Sequence, residues 1–222
     1  IAVSATGDIA ALVRSGSSKL IYVYRNSEWT QIANLSADNF RELLVWAGTK
    51  LVLADGGSSF SPLQFLDPWT GDFVRILNGF DLEIRISALL GYRSEVRRVV
   101  VFGSDNDAYK ILEYNIDTGE TTDHTFLNYW DWRDATLSSD ESHLSVLQRA
   151  GSGVQLWLYN LDSRVETRID LSGVPSGSNS YMSLDWSQDD EKILVSVAVN
   201  GQGQIGIYDV QASQFTLIAA QE

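Results

Sequence analysis

The amino-acid sequence predicts an all-β fold, a β-propeller of about five four-stranded antiparallel blades. Three observations predict it: short apolar runs divided by polar turns, almost no helical periodicity, and an internal repeat of about 46 residues. Repeats of roughly 40 to 50 residues with strands alone are typical of propellers, in which each repeat forms one four-stranded sheet.

The composition indicates a folded chain and excludes several classes of function. Its 222 residues are 44% hydrophobic, and 16 Lys and Arg face 29 Asp and Glu, a net charge of −13. Such a surface repels phosphate backbones and anionic lipid, so we expect no nucleic-acid partner. No apolar run approaches the roughly 18 residues of a membrane span, and the absence of cysteine excludes disulfides and thiolate zinc sites. We expect no membrane insertion and no cofactor.

The apolar residues follow strand patterns along the whole chain. They come in short runs rich in Val, Ile, Leu, Tyr and Trp, bounded by Gly, Ser, Asp and Asn, as in Leu20–Tyr24, Val96–Phe102 and Val154–Tyr159. A short helix is conceivable only over Ser36–Trp46, where we favour a turn that leads into a strand.

A repeat emerges when late segments are overlaid. Ser187–Ile193 matches Ser138–Leu144 at a shift of 49 residues, and the same shift places Tyr208 on Tyr159. The aromatic or leucine residue before each polar turn gives anchors at positions 24, 66, 114, 159 and 208. Each unit is predicted to contain an inner strand, a Ser/Asp-rich turn, two middle strands joined by a hairpin, an Asp-x-x-Thr-Gly-like turn and an outer strand.

These anchors predict one domain over 1–222 with blades at about 1–35, 36–79, 80–127, 128–172 and 173–222. The first inner strand is short, because only three residues precede Ser4, which corresponds to Ser187. We therefore expect that the five blades either close into a ring or belong to a larger propeller.

One stretch of the sequence resembles the repeat of a known family. Leu184–Leu194, followed after a Gly-rich hairpin by Ile207–Asp209, resembles the WD-like repeat of TolB-type propellers, although Gln188 and Asp190 replace the usual Pro and Gly. The resemblance implies a bacterial periplasmic or extracellular setting and a protein partner, without naming that partner.

Most motifs that could carry chemistry lack their structural context. Gly201–Gly206 has the Gly-x-Gly-x-x-Gly spacing of dinucleotide sites, but a strand follows it where such a site needs a helix. His124 and His143 have no zinc-site spacing, and Asp105–Asp107 lacks the rest of a calcium loop. We predict no metal site and no catalytic residue.

Besides partner binding, two enzyme-related hypotheses and one structural hypothesis stay open. Five-bladed propellers include glycosidases, for which Asp131, Asp134 and Asp185 are the candidate carboxylates near the starts of blades four and five. The chain would alternatively be the gating domain of a prolyl-peptidase-like hydrolase, or a subunit of a surface assembly.

The predicted partner-binding residues lie where blade three passes into blade four: Tyr129, Trp130, Asp131 and Trp132. Such connections lie on a propeller rim, and rings beside acids suit a sugar, a peptide or a basic loop. The alternative is that Trp130 and Trp132 pack between blades and only Asp131 is exposed. The preferred function is a non-catalytic interaction platform for a protein or peptide.

Overall fold

The computed structural model describes most of the chain. The described residues are 1–4, 6–16, 18–36, 41–56, 63–77, 84–104, 109–124, 132–150, 153–171, 173–174, 179–199 and 202–220. By their contacts the residues divide into two compact units, Ile1–Thr125 and Phe126–Glu222. The prediction of one domain over 1–222 stays a prediction.

The first unit contains three four-stranded antiparallel sheets, and in each one sequence neighbours are also sheet neighbours. The first sheet consists of β1 (Ala2–Val3), β2 (Ile9–Ser15), β3 (Ser18–Arg25) and β4 (Glu28–Ser36). The second consists of β5 (Arg41–Ala47), β6 (Lys50–Gly56), β7 (Leu63–Leu66) and β8 (Phe73–Leu77). The third consists of β9 (Arg85–Arg93), β10 (Arg98–Ser104), β11 (Tyr109–Asn115) and β12 (Thr121–Asp123).

The second unit contains two more sheets of the same type. The fourth sheet consists of β13 (Trp132–Leu137), β14 (His143–Ala150), β15 (Gly153–Asn160) and β16 (Glu166–Ile169). The fifth consists of β17 (Asn179–Trp186), β18 (Lys192–Val199), β19 (Gln202–Asp209) and β20 (Gln214–Ala220). The all-β prediction is confirmed, since the described residues contain no helix. No helix among them is long and apolar enough to cross a membrane.

The middle strands of the second sheet are buried on both faces. Leu51 and Leu53 of β6 join the core with the first sheet, whereas Val52 and Ala54 of the same strand join the core with the third. Successive side chains of a strand point to opposite faces, so a sheet between two others requires a continuous apolar run. This explains the continuous apolar run of β6 from Leu51 to Ala54.

The second unit has one core between its two sheets. Leu147, Leu156 and Ile169 of the fourth sheet pack with Leu184 and Val195 of the fifth. A glycine completes this core: a Cβ on Gly206 would lie 2.2 Å from the Phe215 ring, so the ring occupies the space of the absent side chain. Gly206 lies in β19, which confirms that the Gly-x-Gly-x-x-Gly segment is a strand where described and not the start of a helix.

The turn between the first two strands of a repeat is built by its serine. The hydroxyl oxygens of Ser4, Ser138 and Ser187 accept hydrogen bonds from the backbone N–H groups of Asp8, His143 and Lys192, all at 2.9 Å. The predicted overlay of Ser138 and Ser187 thus has a physical basis, and Ser4 is a third copy. In the first sheet this turn follows a strand of two residues, which agrees with the expected short first strand.

Asp190 explains one departure from the TolB-type repeat. It holds a positive φ of 57°, the conformation in which glycine is favoured, as does Glu141 at 63° in the preceding repeat. The Asp190 carboxylate accepts hydrogen bonds from the backbone N–H groups of Ser139 at 2.6 Å and Asp140 at 2.7 Å. These bonds to the neighbouring turn offset the backbone strain, which glycine would avoid without forming them.

The turn before the outer strand depends on an Asp or Asn in four of the repeats. The side-chain oxygens of Asp67, Asn115, Asn160 and Asp209 each accept a backbone hydrogen bond from within the turn that follows. Local bonds of this kind close a turn without help from the rest of the fold. The anchor spacing therefore reflects a real structural repeat.

Ser36–Trp46 contains no helix among its described residues. The strand β4 ends at Ser36 and β5 begins at Arg41, so the favoured turn-to-strand prediction agrees with the structure on both sides of 37–40. Residues 37–40 lie outside the described part.

We predict that Gly71→Ala destabilises the fold more than Gly16→Ala. Both glycines have positive φ, 76° and 59°, but a Cβ on Gly71 would lie 1.9 Å from the Ile32 carbonyl oxygen, whereas nothing lies within 4 Å of one on Gly16. We expect Gly16→Ala to lower the unfolding free energy by about 1 kcal/mol and Gly71→Ala by at least ~1 kcal/mol more, in chemical denaturation. Equal losses would contradict the packing of this turn on β4.

Candidate functional site

The predicted partner segment lies mostly outside the described residues. This applies to Tyr129, Trp130 and Asp131, and also to the calcium candidate Asp105–Asp107. Trp132 is the first residue of β13, where its backbone pairs with Gln148. Binding by Tyr129–Trp132 therefore stays a prediction.

Of the three glycosidase candidates, Asp134 has a clear structural partner. Its carboxylate accepts hydrogen bonds from the backbone N–H groups of Leu184 at 2.8 Å and Ala135 at 3.0 Å, and so joins the first strands of the fourth and fifth sheets. Burial raises the pKa of Asp134 against the lowering effect of these bonds, and the nearby Asp185 carboxylate raises it further. Asp185 itself is exposed. Both oxygens of Asp134 are thus engaged with backbone.

The two histidines occupy different environments, neither with metal-ligand character. His124 is 4% exposed, and its Nε2 lies 3.2 Å from Glu113 Oε2. His143 is half-buried, with Nδ1 at 2.6 Å from the Ser142 hydroxyl and Nε2 at 3.1 Å from the Asn160 amide nitrogen. His143 is therefore held at both ring nitrogens.

Glu113 is the charged centre of the third sheet. It is 1% exposed and accepts hydrogen bonds from Arg93 at 2.7 Å and Arg98 at 3.2 Å, besides its contact with His124. Burial by itself raises the pKa of Glu113. The hydrogen bonds from His124 and Arg93 outweigh this effect and lower the pKa from 4.5 to about 2. A buried carboxylate is tolerated because several donors surround it, so the loss of one partner from this cluster should be destabilising.

The candidate site is a pocket of about 320 Å³ in the first unit, where the turns of the second and third sheets meet. Its apolar wall consists of Ala47, Phe65, Val74, Tyr92 and Ile116. Val74 of β8 is 51% exposed, and the adjacent Phe73 is 42% exposed. Concave surfaces of this size with apolar walls are where proteins bind small groups.

Two ion pairs border the pocket, one from each sheet. Lys50 Nζ lies 2.6 Å from Asp67 Oδ2, and Arg97 holds Asp117 through two contacts, one of them Nη2 to Oδ1 at 3.0 Å. The hydrogen bond from Lys50, with those from the backbone of the next turn, lowers the pKa of Asp67. Each charge faces an opposite charge, so the border is polar but nearly neutral.

The turn that supplies Asp67 also exposes a tryptophan. Trp69 is 46% exposed, and the Arg25 guanidinium lies 3.9 Å from the centre of its ring. Its other neighbour is Trp46, with ring centres 6.4 Å apart. A guanidinium over an aromatic face is attractive, so the ring is held in place while part of it stays open to solvent.

Sequence reasoning missed this pocket because its residues come from five separate segments without a motif. The exposed Trp69, which does not line the pocket, did have a sequence signal: it occupies the position that Asp117 has in the next repeat, inside an otherwise polar turn. A large ring at a turn position has no core to fill. Among the described residues, no group of three or more His, Asp and Glu side chains has metal-binding geometry.

Comparison with known proteins shows the fold. No protein-family model matches the chain, and no curated protein matches it. The structure is similar to TolB from Acinetobacter baumannii (TM-score 0.67, 15% identity, 96% of this chain and 53% of that one). It also resembles a TolB-type protein from Agrobacterium tumefaciens (TM-score 0.63, 14% identity, 98% and 79%).

A third similar structure is an enzyme, a prolyl endopeptidase (TM-score 0.70, 14% identity, 99% of this chain and 34% of that one). The chain spans about half the length of the Acinetobacter TolB and a third of the peptidase. These likenesses confirm that the chain has a TolB-type β-propeller fold of four-stranded antiparallel blades.

We predict that Asp134→Ala destabilises the second unit and that Asp185→Ala does not. Removing the Asp134 carboxylate leaves the backbone N–H of Leu184 without its acceptor, a cost of about 1–3 kcal/mol. Asp185 is exposed, so its removal should change the unfolding free energy by less than ~0.5 kcal/mol. Equal stability of the two variants in urea titrations would argue against the strand-joining role.

We predict that Glu113 makes stability fall in acid. Because its pKa in the fold lies near 2 and the ordinary value is 4.5, its contribution is complete above pH 4.5 and is lost as the pH falls towards 2. Glu113→Gln should therefore be less stable than the parent by ~3 kcal/mol at pH 6, a difference that closes near pH 2.

The control for Glu113 is Asp117→Asn, which breaks an exposed ion pair. Exposed pairs contribute little because water and salt screen them, so this variant should follow the parent at both pH values. A Glu113→Gln deficit of the same size at pH 6 and pH 2, measured by urea titration, would rule out the charge-based explanation.

Proposed function

We propose that this chain is a non-catalytic β-propeller that serves as an interaction platform for a protein or peptide. The observation that carries the proposal is the pocket of the first unit, which combines an apolar wall, an exposed Val74 and a nearly neutral ionic border. Exposed apolar groups around a concavity are typical of binding surfaces.

The chemistry of the pocket favours an apolar side chain of the partner. Phe65, Tyr92 and Ile116 offer contact area, while Lys50 and Arg97 are already neutralised by their carboxylates. A free anion would have to compete with Asp67 and Asp117 for these cations. A volume of about 320 Å³ is large enough for one or two large side chains of a partner.

The proposed setting is periplasmic or extracellular, with a role as a scaffold or as a subunit of a larger assembly. The support is the TolB-type fold, which the chain shares with proteins of two bacteria. The net charge of −13 supports a protein partner over nucleic acid.

The segment Tyr129–Trp132 is proposed as a second partner surface. Its support is the density of rings and acids where the third repeat passes into the fourth. Loss of partner binding in Trp132→Ala at unchanged thermal stability would support it, and loss of both would favour a packing role for Trp132.

A second candidate function is the propeller of a larger enzyme. The similarity to a prolyl endopeptidase, of which this chain covers 34%, supports it. A Gly-x-Ser-x-Gly nucleophile elbow in the sequence of the complete gene product would favour this candidate over the platform.

We predict that Val74→Arg weakens partner binding without unfolding the protein. Because the chain has no cysteine, Val74→Cys can carry a single photo-crosslinker, and we expect it to capture one specific protein from the native cells. Val74→Arg should then weaken that complex at least ~10-fold and change the unfolding free energy by less than ~0.5 kcal/mol.

The matched controls lie at Val165, which is 57% exposed and distant in sequence. Val165→Cys should capture no specific protein, and Val165→Arg should leave the complex unchanged. The same captured protein at both positions, or undiminished binding by Val74→Arg, would contradict the pocket as the partner site.

A further inference from the structure

One wall of the pocket in the first unit is a glycine in a hairpin turn. Gly48 is the first of the two residues that join β5 to β6, and the flanking residues Ala47 and Lys50 pair with each other. The φ of Gly48 is +60°, and the turns that suit a two-residue hairpin need a positive φ at this first position. Because Gly48 also lines the pocket, the turn leaves the pocket wall without a side chain here.

The space beside Gly48 lies against the ring of Tyr92 from the third sheet. A Cβ on Gly48 would lie 3.5 Å from the Tyr92 hydroxyl oxygen and 3.7 Å from its Cε1, which are ordinary contact distances. Since both residues line the pocket, atoms beyond the Cβ would take up part of its volume of about 320 Å³. Glycine at position 48 therefore keeps this volume available to a ligand.

Two aromatic rings, those of Phe65 and Tyr92, belong to the lining of the pocket. Phe65 of β7 is 3% exposed, and its ring centre lies 6.1 Å from that of Tyr114. Tyr92 and Ile116 pack against the same core cluster. A ring that enters the pocket meets these two rings, and aromatic pairs attract each other beyond the effect of the area that they bury. The inner surface therefore favours an aromatic side chain over an aliphatic one.

The border of the pocket offers a hydrogen-bond acceptor. The Asp117 side chain is 50% exposed and binds Arg97 through both of its carboxylate oxygens. A carboxylate has about four lone-pair sites, so Asp117 can accept a further hydrogen bond from a ligand without releasing Arg97. The border thus suits a neutral O–H or N–H donor, which leaves both ion pairs of the border intact.

We propose that the pocket binds one tyrosine side chain of the partner, with the ring beside Phe65 and Tyr92 and the hydroxyl donating to Asp117. Tyrosine combines an apolar ring with one neutral donor, the two properties that the inner surface and the border favour. Gly48 is the specificity-determining residue, because a larger residue there would occupy the space of the ring. This binding mode rests on the proposed function, in which the same pocket binds a protein or peptide.

Other side chains fit the pocket less well. A charged side chain would lose hydration on entry, while Lys50 and Arg97 each face a carboxylate already. An aliphatic side chain gives up both the ring contacts and the hydrogen bond. Phenylalanine keeps the ring contacts but donates nothing to Asp117, so the preference for tyrosine over phenylalanine measures the contribution of the hydroxyl.

The test measures the binding of three small compounds to the 222-residue chain, the N-acetyl amides of tyrosine, phenylalanine and leucine. Amide NMR spectra of the 15N-labelled chain give the affinities, and the signals of Gly48, Tyr92 and Ile116 report the site. We expect the tyrosine compound to bind at least ~3-fold more tightly than the phenylalanine compound, because only tyrosine donates a hydrogen bond here. The leucine compound should bind at least ~10-fold more weakly than the tyrosine compound, because it also lacks the ring contacts.

The matched variants are Gly48→Leu and Gly16→Leu. The φ is +60° at Gly48 and +59° at Gly16, so both substitutions impose the same backbone strain, but nothing lies within 4 Å of a Cβ on Gly16. Gly48→Leu should weaken binding of the tyrosine compound at least ~10-fold, whereas Gly16→Leu should bind it like the parent. If either leucine variant does not fold, Gly48→Ala and Gly16→Ala repeat the comparison with a smaller side chain, and we expect a loss of at least ~3-fold for Gly48→Ala alone.

Three results would overturn the proposal: absent or equal binding of the three compounds, equal effects of the substitutions at Gly48 and Gly16, or chemical-shift changes confined to residues outside the pocket. Failure of the proposed function would look different. Partner binding that depends on Val74 without a preference for tyrosine would refute tyrosine as the ligand and keep the platform. Tyrosine binding at Gly48 with undiminished partner binding by Val74→Arg would refute the pocket as the partner site and keep its preference for tyrosine.

Discussion

Sheets stacked face to face impose the constraint on which the rest of this structure depends. The second sheet buries Leu51 on one side and Val52 on the other, so β6 cannot alternate apolar with polar residues here. A charged side chain that is buried between such sheets needs partners of its own. Glu113 is an example. The fold tolerates its burial because Arg93 and His124 contact the carboxylate.

The polar side chains of the turns stabilise the turns by hydrogen bonds to the backbone. Serine hydroxyls and Asp or Asn side-chain oxygens accept hydrogen bonds from backbone N–H groups in or beside the turns, as at Ser187 and Asn160. Where a turn needs a left-handed residue, the chain can use a carboxylate in place of glycine if that carboxylate finds donors. Asp190 does so with the neighbouring turn, which links two consecutive repeats at their ends.

The features repeated in the sequence were the ones that could be predicted, because each depends on local chemistry. The overlay of Ser138 on Ser187 anticipated a shared hydrogen-bond pattern, and the anchors at 66 and 114 anticipated two matching turns. The pocket beside Val74 escaped prediction because it arises from contacts between strands distant in sequence. The difference in exposure between Ile205 and Leu156, 42% against 0%, escaped prediction too, because the two residues occupy the same position in their repeats.

Many carboxylates of this acidic chain bind backbone N–H groups, which limits what the net charge indicates about a partner. Several carboxylates accept hydrogen bonds from backbone N–H groups, namely those of Asp67, Asp134, Asp140, Asp190 and Asp209. A carboxylate bound in this way still repels nucleic acid and anionic lipid at a distance, but its lone pairs are less available to a basic partner. The net charge of −13 therefore excludes partners more strongly than it selects them. In the function that we propose, selection depends instead on apolar contact, which is the chemistry that Val74 and its pocket offer.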